Sequence, residues 1–178
     1  MVDFEYGGDS GIANFIPDLR SAARLSNGFV LEIGTGTGQG STIAFEEGLQ
    51  QCASLDKLHI SVDLNIPAKY RPSVPWWHMV QGDSRDPDTF NKVVALCGPR
   101  APGLIFIDTD HYYEHMQAEL ALWHPIACSS TVWLFHDTWI WGVYNHMTEA
   151  IKEFASANRW VYDDVSTVTH GLGRMVKL

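Results

Sequence analysis

Short apolar runs alternate along this chain with longer segments of helical period, the pattern of a mostly parallel sheet covered on both faces. Gly28 to Ile33 reads as a buried strand running into a glycine cluster, and Leu58 to Asp63 as a second that ends in an acid. Trp77 to Val80 makes a third, stopped at Gly82-Asp83. Gly103 to Ile107 makes a fourth, closed by Asp108, and Thr131 to Phe135 a fifth, ending at His136-Asp137. Between them, Ser41 to Leu49 predicts a helix closed around Gly48, and Asp86 to Leu96 one with Pro87 in its favoured first turn. Met116, Leu120 and Trp123 recur at helical spacing within a covering helix over Tyr112 to Ile126, and Val143 to Ala157 forms another. Trp160 to Val165 and Gly171 to Leu178 are two more strands with no helix between them, so an antiparallel pair is expected at the sheet edge. Asn14 to Leu25 is helix-like. Residues 1–28 are therefore expected to be an N-terminal extension packed on one α/β domain spanning 29–178.

Composition narrows the partners more than the fold. The 178 residues carry 12 Lys+Arg against 21 Asp+Glu, a formal charge of −9. A protein that grips a phosphate backbone needs a basic face, so nucleic acid is excluded as the expected partner. Pro67, Pro72 and Pro75 break the loop after the second strand. Cys52, Cys97 and Cys128 sit far apart in no zinc-type spacing, and their odd count fits a reducing compartment better than a disulfide framework. The N-terminus has no basic start followed by an apolar run, and no stretch approaches a membrane span. The expectation is a soluble, unprocessed cytoplasmic protein that does not engage membranes.

The chemistry begins at Glu32-Ile33-Gly34-Thr35-Gly36-Thr37-Gly38-Gln39-Gly40-Ser41, which follows a strand and precedes a helix. Glycines there turn tightly and let backbone N–H groups approach a ligand without a Cβ in the way. A dinucleotide fingerprint is poorly met, because the third glycine position holds Gln39 counted from Gly34 and Ser41 counted from Gly36. The spacing is instead an acid followed by alternating glycines, and in this the chain resembles the class I S-adenosylmethionine-dependent methyltransferases. The resemblance covers Phe29 to Leu178. It implies a Rossmann-like seven-strand sheet whose last strand is antiparallel, and a cofactor site that includes Glu32, Gly34, Thr35, Gly36 and Gly38. It places Asp63, 23 positions after Gly40, on the ribose hydroxyls, Asp83 and Ser84 near the adenine, and Asp108 at the same cleft.

Open α/β sheets build their sites outside the carboxyl ends of the strands. Asp108 and Asp137, delivered by neighbouring strands, can jointly hold a hard divalent cation, with Mg²⁺ expected. Such an ion would lower the pKa of a substrate hydroxyl and orient it. His111, three residues beyond Asp108, is the candidate base. Asp108 and Asp110 have a competing role as caps of the helix near Tyr112. The segments Phe106 to Glu114 and Leu134 to Thr138 look like the branch that holds the macrocin- and mycinamicin-type sugar O-methyltransferases and the cephamycin-pathway enzymes. There the resemblance implies a metal shell drawn from Asp108, His136 and Asp137, with His136 standing where the branch has an acid. His136 is therefore either a ligand or a group that orients its neighbours. His59, His78, His115, His124, His146 and His170 have no carboxylate at metal spacing and are expected to be structural.

The aromatic pairs Trp139 with Trp141 and Trp76 with Trp77 suit either the walls of an acceptor site or core and subunit contacts. A homo-oligomer is compatible with the second use. The expected activity is methyl transfer from S-adenosylmethionine to a hydroxyl of a small molecule. Two alternatives stand at this point: a protein or subunit that binds S-adenosylmethionine without transferring its methyl group, and a nicotinamide-dependent oxidoreductase.

Overall fold

Phe29–Ile33 is buried at all five positions, glutamate included, which is why the run shows no polar alternation: a parallel strand at the middle of a sheet has both faces covered. The computed structural model describes residues 10–66, 74–140 and 143–178. In chain order the helices are α1 (Ser10–Ala13), α2 (Ile16–Leu25), α3 (Ser41–Gln51), α4 (Pro87–Cys97), α5 (Tyr113–Trp123) and α6 (His146–Asn158). The strands are β1 (Phe29–Ile33), β2 (His59–Asp63), β3 (Trp77–Gln81), β4 (Pro102–Ile107), β5 (Val132–His136), β6 (Trp139–Ile140), β7 (Val143–Tyr144), β8 (Trp160–Ser166) and β9 (Leu172–Lys177).

Seven strands form one sheet in the order β3-β2-β1-β4-β5-β9-β8, and only β9 runs against the others. This is the expected α/β architecture. On one face Leu31, Ile33, Ile60, Ile105 and Phe135 pack with Val93, Met116, Leu120, Trp123 and Ile151 from α4, α5 and α6. On the other, Val30, Leu104, Phe106 and Leu134 pack with Ile16, Leu19 and Ala23 of α2 and with Phe45 and Leu49 of α3.

Three local expectations change. Gly48 does not close α3, which runs on to Gln51. It lies where α3 crosses α2, and a Cβ there would stand 2.3 Å from the Arg20 carbonyl oxygen. The glycine permits a close helix contact instead of ending a helix. The covering helix expected through Ile126 stops at Trp123 and tightens into a 3₁₀ turn over His124–Ile126, because Pro125 cannot continue an α-helix. The helix expected from Val143 begins at His146, where Asn145 caps it by accepting from the Thr148 N–H at 3.1 Å. The preceding residues instead pair as the hairpin β6–β7. Pro67, Pro72, Trp141 and Gly142 lie outside the described residues. Among the described residues no helix is long and apolar enough to cross a membrane.

Register sets the place of the chemistry. Ile33 is opposite Val62 on one side and Ile107 on the other, and Ile107 is opposite Phe135. Gly34, Asp63, Asp108 and His136 therefore leave the sheet along one edge.

Candidate active site

The glycine segment starts in register with its neighbours: Gly34 donates to the Val62 carbonyl at 2.9 Å, and Asp108 donates to the Ile33 carbonyl at 2.8 Å. Gly34 has φ +87°, and a Cβ on it would lie 1.9 Å from the Asp108 carbonyl oxygen, so only glycine fits. Asp63 Oδ2 accepts from the N–H groups of Thr35 (2.8 Å) and Gly36 (2.9 Å), while Oδ1 accepts from Asn65 (2.8 Å). These bonds pin the loop to the end of β2. They also occupy most of the roughly four acceptor positions of a carboxylate, so the expected hold on both ribose hydroxyls narrows to one free position while the loop keeps this conformation. Gly38 (φ +71°) donates to the Thr35 carbonyl at 2.8 Å and shapes the turn without lining the cavities described next.

Two cavities open along the edge. One, of about 170 Å³, is bounded by Asp63, Gly82, Asp83, Ser84, Thr109 and His115. The other, of about 270 Å³, lies against Ile12, Thr35, Gly36, Gly40 and Ser41. Gly34 and Asp108 line both, so a single cleft crosses the strand ends. Asp83 is paired with Arg85 Nη2 at 2.7 Å, and that guanidinium holds its carboxyl down at about 2.

Glu32 corrects an expectation. It is fully buried beneath the loop and lines neither cavity. Its carboxylate accepts from Ser41 Oγ (2.7 Å), Thr42 Oγ1 (2.8 Å) and Ser61 Oγ (2.6 Å) and lies 3.2 Å from His59 Nε2. A strand with two covered faces leaves its acid no route to solvent. Glu32 therefore fastens α3 and β2 to β1 and serves the cleft only through the loop. His59 is its partner, which the sequence reading did not find.

The second cluster lies where β4 and β5 end. One ligand atom each from Asp108, His111 and Asp137 lies within 4.8 Å of the others. His111 Nε2 stands 2.9 Å from Asp137 Oδ2, and this bond raises the His111 pKa against the opposing effect of burial. Asp137 adopts φ +57°, an uncommon value for a residue with a side chain. Burial favours its neutral form, yet the bonds from His111 and His136 prevail and push its pKa down.

His136 is the other correction. It is buried to 1% exposure, and its Nδ1 lies 3.2 Å from Asp108 Oδ1 and 3.3 Å from Asp137 Oδ2. Burial alone would lower its pKa; the two carboxylates outweigh burial and raise it to about 10. The Nδ1 that donates to these two carboxylates has no lone pair left for a metal, and Nε2 is buried without a hydrogen-bond partner. In this conformation His136 bonds Asp108 and Asp137 from within the protein, and the three ligand atoms that lie together are those of Asp108, His111 and Asp137.

Sequence reasoning missed Ile12, Thr109, His115 and Glu119. Ile12 reaches the cleft from α1, against Gly40, where a Cβ would meet its side chain at 2.8 Å. His115, expected to be structural and unpaired, lies 3.1 Å from the fully buried Glu119. A signal for Glu119 existed: it stands three residues after Met116 on the buried face of α5, where a carboxylate needs partners. Trp77 is core, with Nε1 donating to Ser61 Oγ at 2.9 Å, and is no acceptor wall.

A family model described as "Methyltransferase domain" matches residues 31–138, more than half of the chain. No curated protein matches the sequence. Among solved structures, the MycE methyltransferase from the mycinamycin biosynthetic pathway, in complex with Mg and S-adenosylhomocysteine, superposes with TM-score 0.64 at 18% identity over 92% of this chain and 49% of its own. CalS11, a TDP-rhamnose 3′-O-methyltransferase of calicheamicin biosynthesis, gives 0.68 at 15% identity over 92% and 77%. An O-methyltransferase from Bacillus cereus in complex with S-adenosylhomocysteine gives 0.64 at 14% over 99% and 84%. The chain thus spans about half the length of MycE, and at these identities the likeness is one of fold. With an acid-and-glycine loop at the end of β1, a cleft across the strand ends and a matching family model, the chain belongs to the methyltransferase-domain family.

Proposed function

We propose that the chain transfers a methyl group from S-adenosylmethionine to a hydroxyl oxygen of a small molecule, with a divalent cation assisting. One observation carries this reading: Asp108 lines both halves of the cleft and also belongs to the cluster with His111 and Asp137. A group bound along the cleft would therefore lie next to a site for a cation and a base.

The residues fit both absent groups. For the cofactor, positive φ at Gly34 and Gly36, with open space around Gly36, leaves backbone unshielded along the cleft, and Asp63 keeps an acceptor position. The amino-acid end would lie against the glycine loop and the nucleoside end in the cavity bounded by Asp63 and Asp83. For the cation, Asp137 Oδ1 is buried without a hydrogen-bond partner, and such an oxygen suits a hard ion. Asp108 and Asp137 would hold it.

S-adenosylmethionine supplies an electrophilic methyl carbon, and the cation supplies Lewis acidity that favours the ionised acceptor. The chain's own contribution is placement and proton transfer. His111 commits Nε2 to Asp137 Oδ2, which fixes the ring and leaves Nδ1 to take the hydroxyl proton; Asp137 then stabilises the imidazolium. His136 keeps both carboxylates aimed at one point. The chain's catalytic gain comes mainly from holding the reactants in line.

The test is incubation of the full chain with Mg²⁺, methyl-labelled S-adenosylmethionine and a panel of hydroxylated small molecules, glycosides included. Labelled ether product is expected, abolished by EDTA and restored by Mg²⁺. His111→Ala should lower turnover about 10²- to 10⁴-fold while calorimetry finds S-adenosylhomocysteine binding unchanged. Product formation indifferent to EDTA would remove the cation from the reading, and absence of cofactor binding would remove the reading itself.

A further inference from the structure

Glu119 is a carboxylate with no solvent exposure on the inner face of α5, and the proton chemistry above makes no use of it. It gathers three donors from three segments. Ser84 Oγ, after β3, donates to Oε1. Thr109 Oγ1, after β4, donates to Oε2 at 2.8 Å, and His115 Nε2, one turn earlier on α5, lies 3.1 Å from Oε1. All three donors line the cavity that also holds Asp83, whereas Glu119 does not reach it. A hydroxyl has one hydrogen and two lone pairs, and an ionised carboxylate only accepts. By taking the hydrogens of Ser84 and Thr109, Glu119 leaves those oxygens able only to accept from whatever enters the cavity. The Asp83 carboxylate accepts from the Arg85 backbone N–H, Nε and Nη2 at 2.9, 3.0 and 2.7 Å and keeps about one acceptor position for the same wall.

We propose that Glu119 is a positioning residue that sets the polarity of this cavity, so that it receives a purine bearing an exocyclic amino group and rejects the 6-oxo form. The inference rests on the reading of this cavity as the nucleoside end of the cofactor site. An amino group brings hydrogens to the acceptors that Ser84, Thr109 and Asp83 present. A carbonyl oxygen at the same place faces lone pairs, and wall groups left unpaired inside a pocket account for much of the discrimination such sites achieve.

Calorimetry on the full chain with S-adenosylhomocysteine and its deaminated analogue S-inosylhomocysteine tests it. The wild-type protein is expected to prefer the amino form at least about tenfold. In Glu119→Gln the amide offers one acceptor oxygen and turns its amino hydrogens toward a former donor. At least one wall hydroxyl then points its hydrogen into the cavity. The preference should fall below about threefold, with the amino form weakened and the oxo form unchanged or strengthened. A purely structural role would weaken both ligands equally. That result, or an unchanged preference in a variant with wild-type melting temperature, overturns the proposal. Should Glu119→Gln fail to fold, Thr109→Val removes one wall acceptor directly: a reduced preference supports the proposal and an equal loss for both ligands overturns it. A wild-type protein that binds neither nucleoside overturns the cofactor reading, and this inference with it, whereas one that binds both equally overturns this inference alone.

Discussion

Gly34 and Gly98 both hold positive φ, +87° and +60°, yet they are not equivalent. Nothing lies within 4 Å of a Cβ built on Gly98, whereas one on Gly34 meets the Asp108 carbonyl at 1.9 Å. That oxygen is main chain at the end of β4 and cannot step aside. Gly98, at φ +60° and ψ −133°, lies outside the left-handed helical region, so Gly98→Ala should cost only its backbone strain, about 1–3 kcal/mol. Gly34→Ala should add overpacking of about 1–3 kcal/mol and separate the glycine loop from Asp108. Thermal denaturation of both variants, paired with S-adenosylhomocysteine titration, checks this: binding survives in the first and is lost in the second. Equal behaviour would mean that the loop tolerates displacement from β4. The same scale shows what the sequence could disclose. Asp63, Asp108 and Asp137 were legible as acids gathered at one edge of the sheet, because an acid that ends an apolar strand has one edge to occupy. Glu32 and Glu119 were not, since their roles depend on which hydroxyls the fold brings to them. His136 was ambiguous for a related reason: nothing in the dipeptide His136-Asp137 says that its ring lies behind the carboxylates.

At the level of elements, the helix most easily dismissed as an appendage is α2. Leu19 is fully buried against the sheet, in one cluster with Phe45, Leu104 and Phe106, and Gly48 exists to let α3 approach Arg20. On that packing α2 is a wall of the core, and α1 carries Ile12 onward to the glycine loop. Leu19→Ala should therefore destabilise the whole protein by about 2–5 kcal/mol, read as one shifted denaturation transition. A separate early transition would mark residues 10–25 as an independently melting segment. Strand positions were readable to within a residue or so because doubly covered strands are continuously apolar. The hairpin β6–β7 and the late start of α6 were not, because two-residue strands leave no period and Asn145 signals a cap only once its side chain is seen to accept from Thr148.

At the scale of the whole molecule, the parallel register brings Asp63, Asp83, Asp108 and Asp110 to one cleft on a chain of net charge −9. Fold recognition needed little of this, since alternating strands and helices with one glycine loop suffice for the architecture. The electrostatic consequence needs all of it. Low-dielectric walls focus the field of the clustered carboxylates into the cleft, and a cationic ligand feels that field while a neutral one of the same shape does not. S-adenosylmethionine carries a sulfonium charge that S-adenosylhomocysteine lacks, and the two are otherwise nearly identical. Measured without a divalent cation, the affinity for S-adenosylmethionine should fall several-fold as ionic strength rises from about 0.01 to 0.5 M, a range over which the Debye length shrinks from about 30 Å to a few ångströms. The affinity for S-adenosylhomocysteine should change much less. The ratio of the two dissociation constants, followed by titration across salt, isolates the charge term because every contact that the two ligands share cancels. A ratio independent of salt would mean that Arg85 and the imidazolium of His136 already neutralise the cleft, leaving the acidic surface to act on solubility alone.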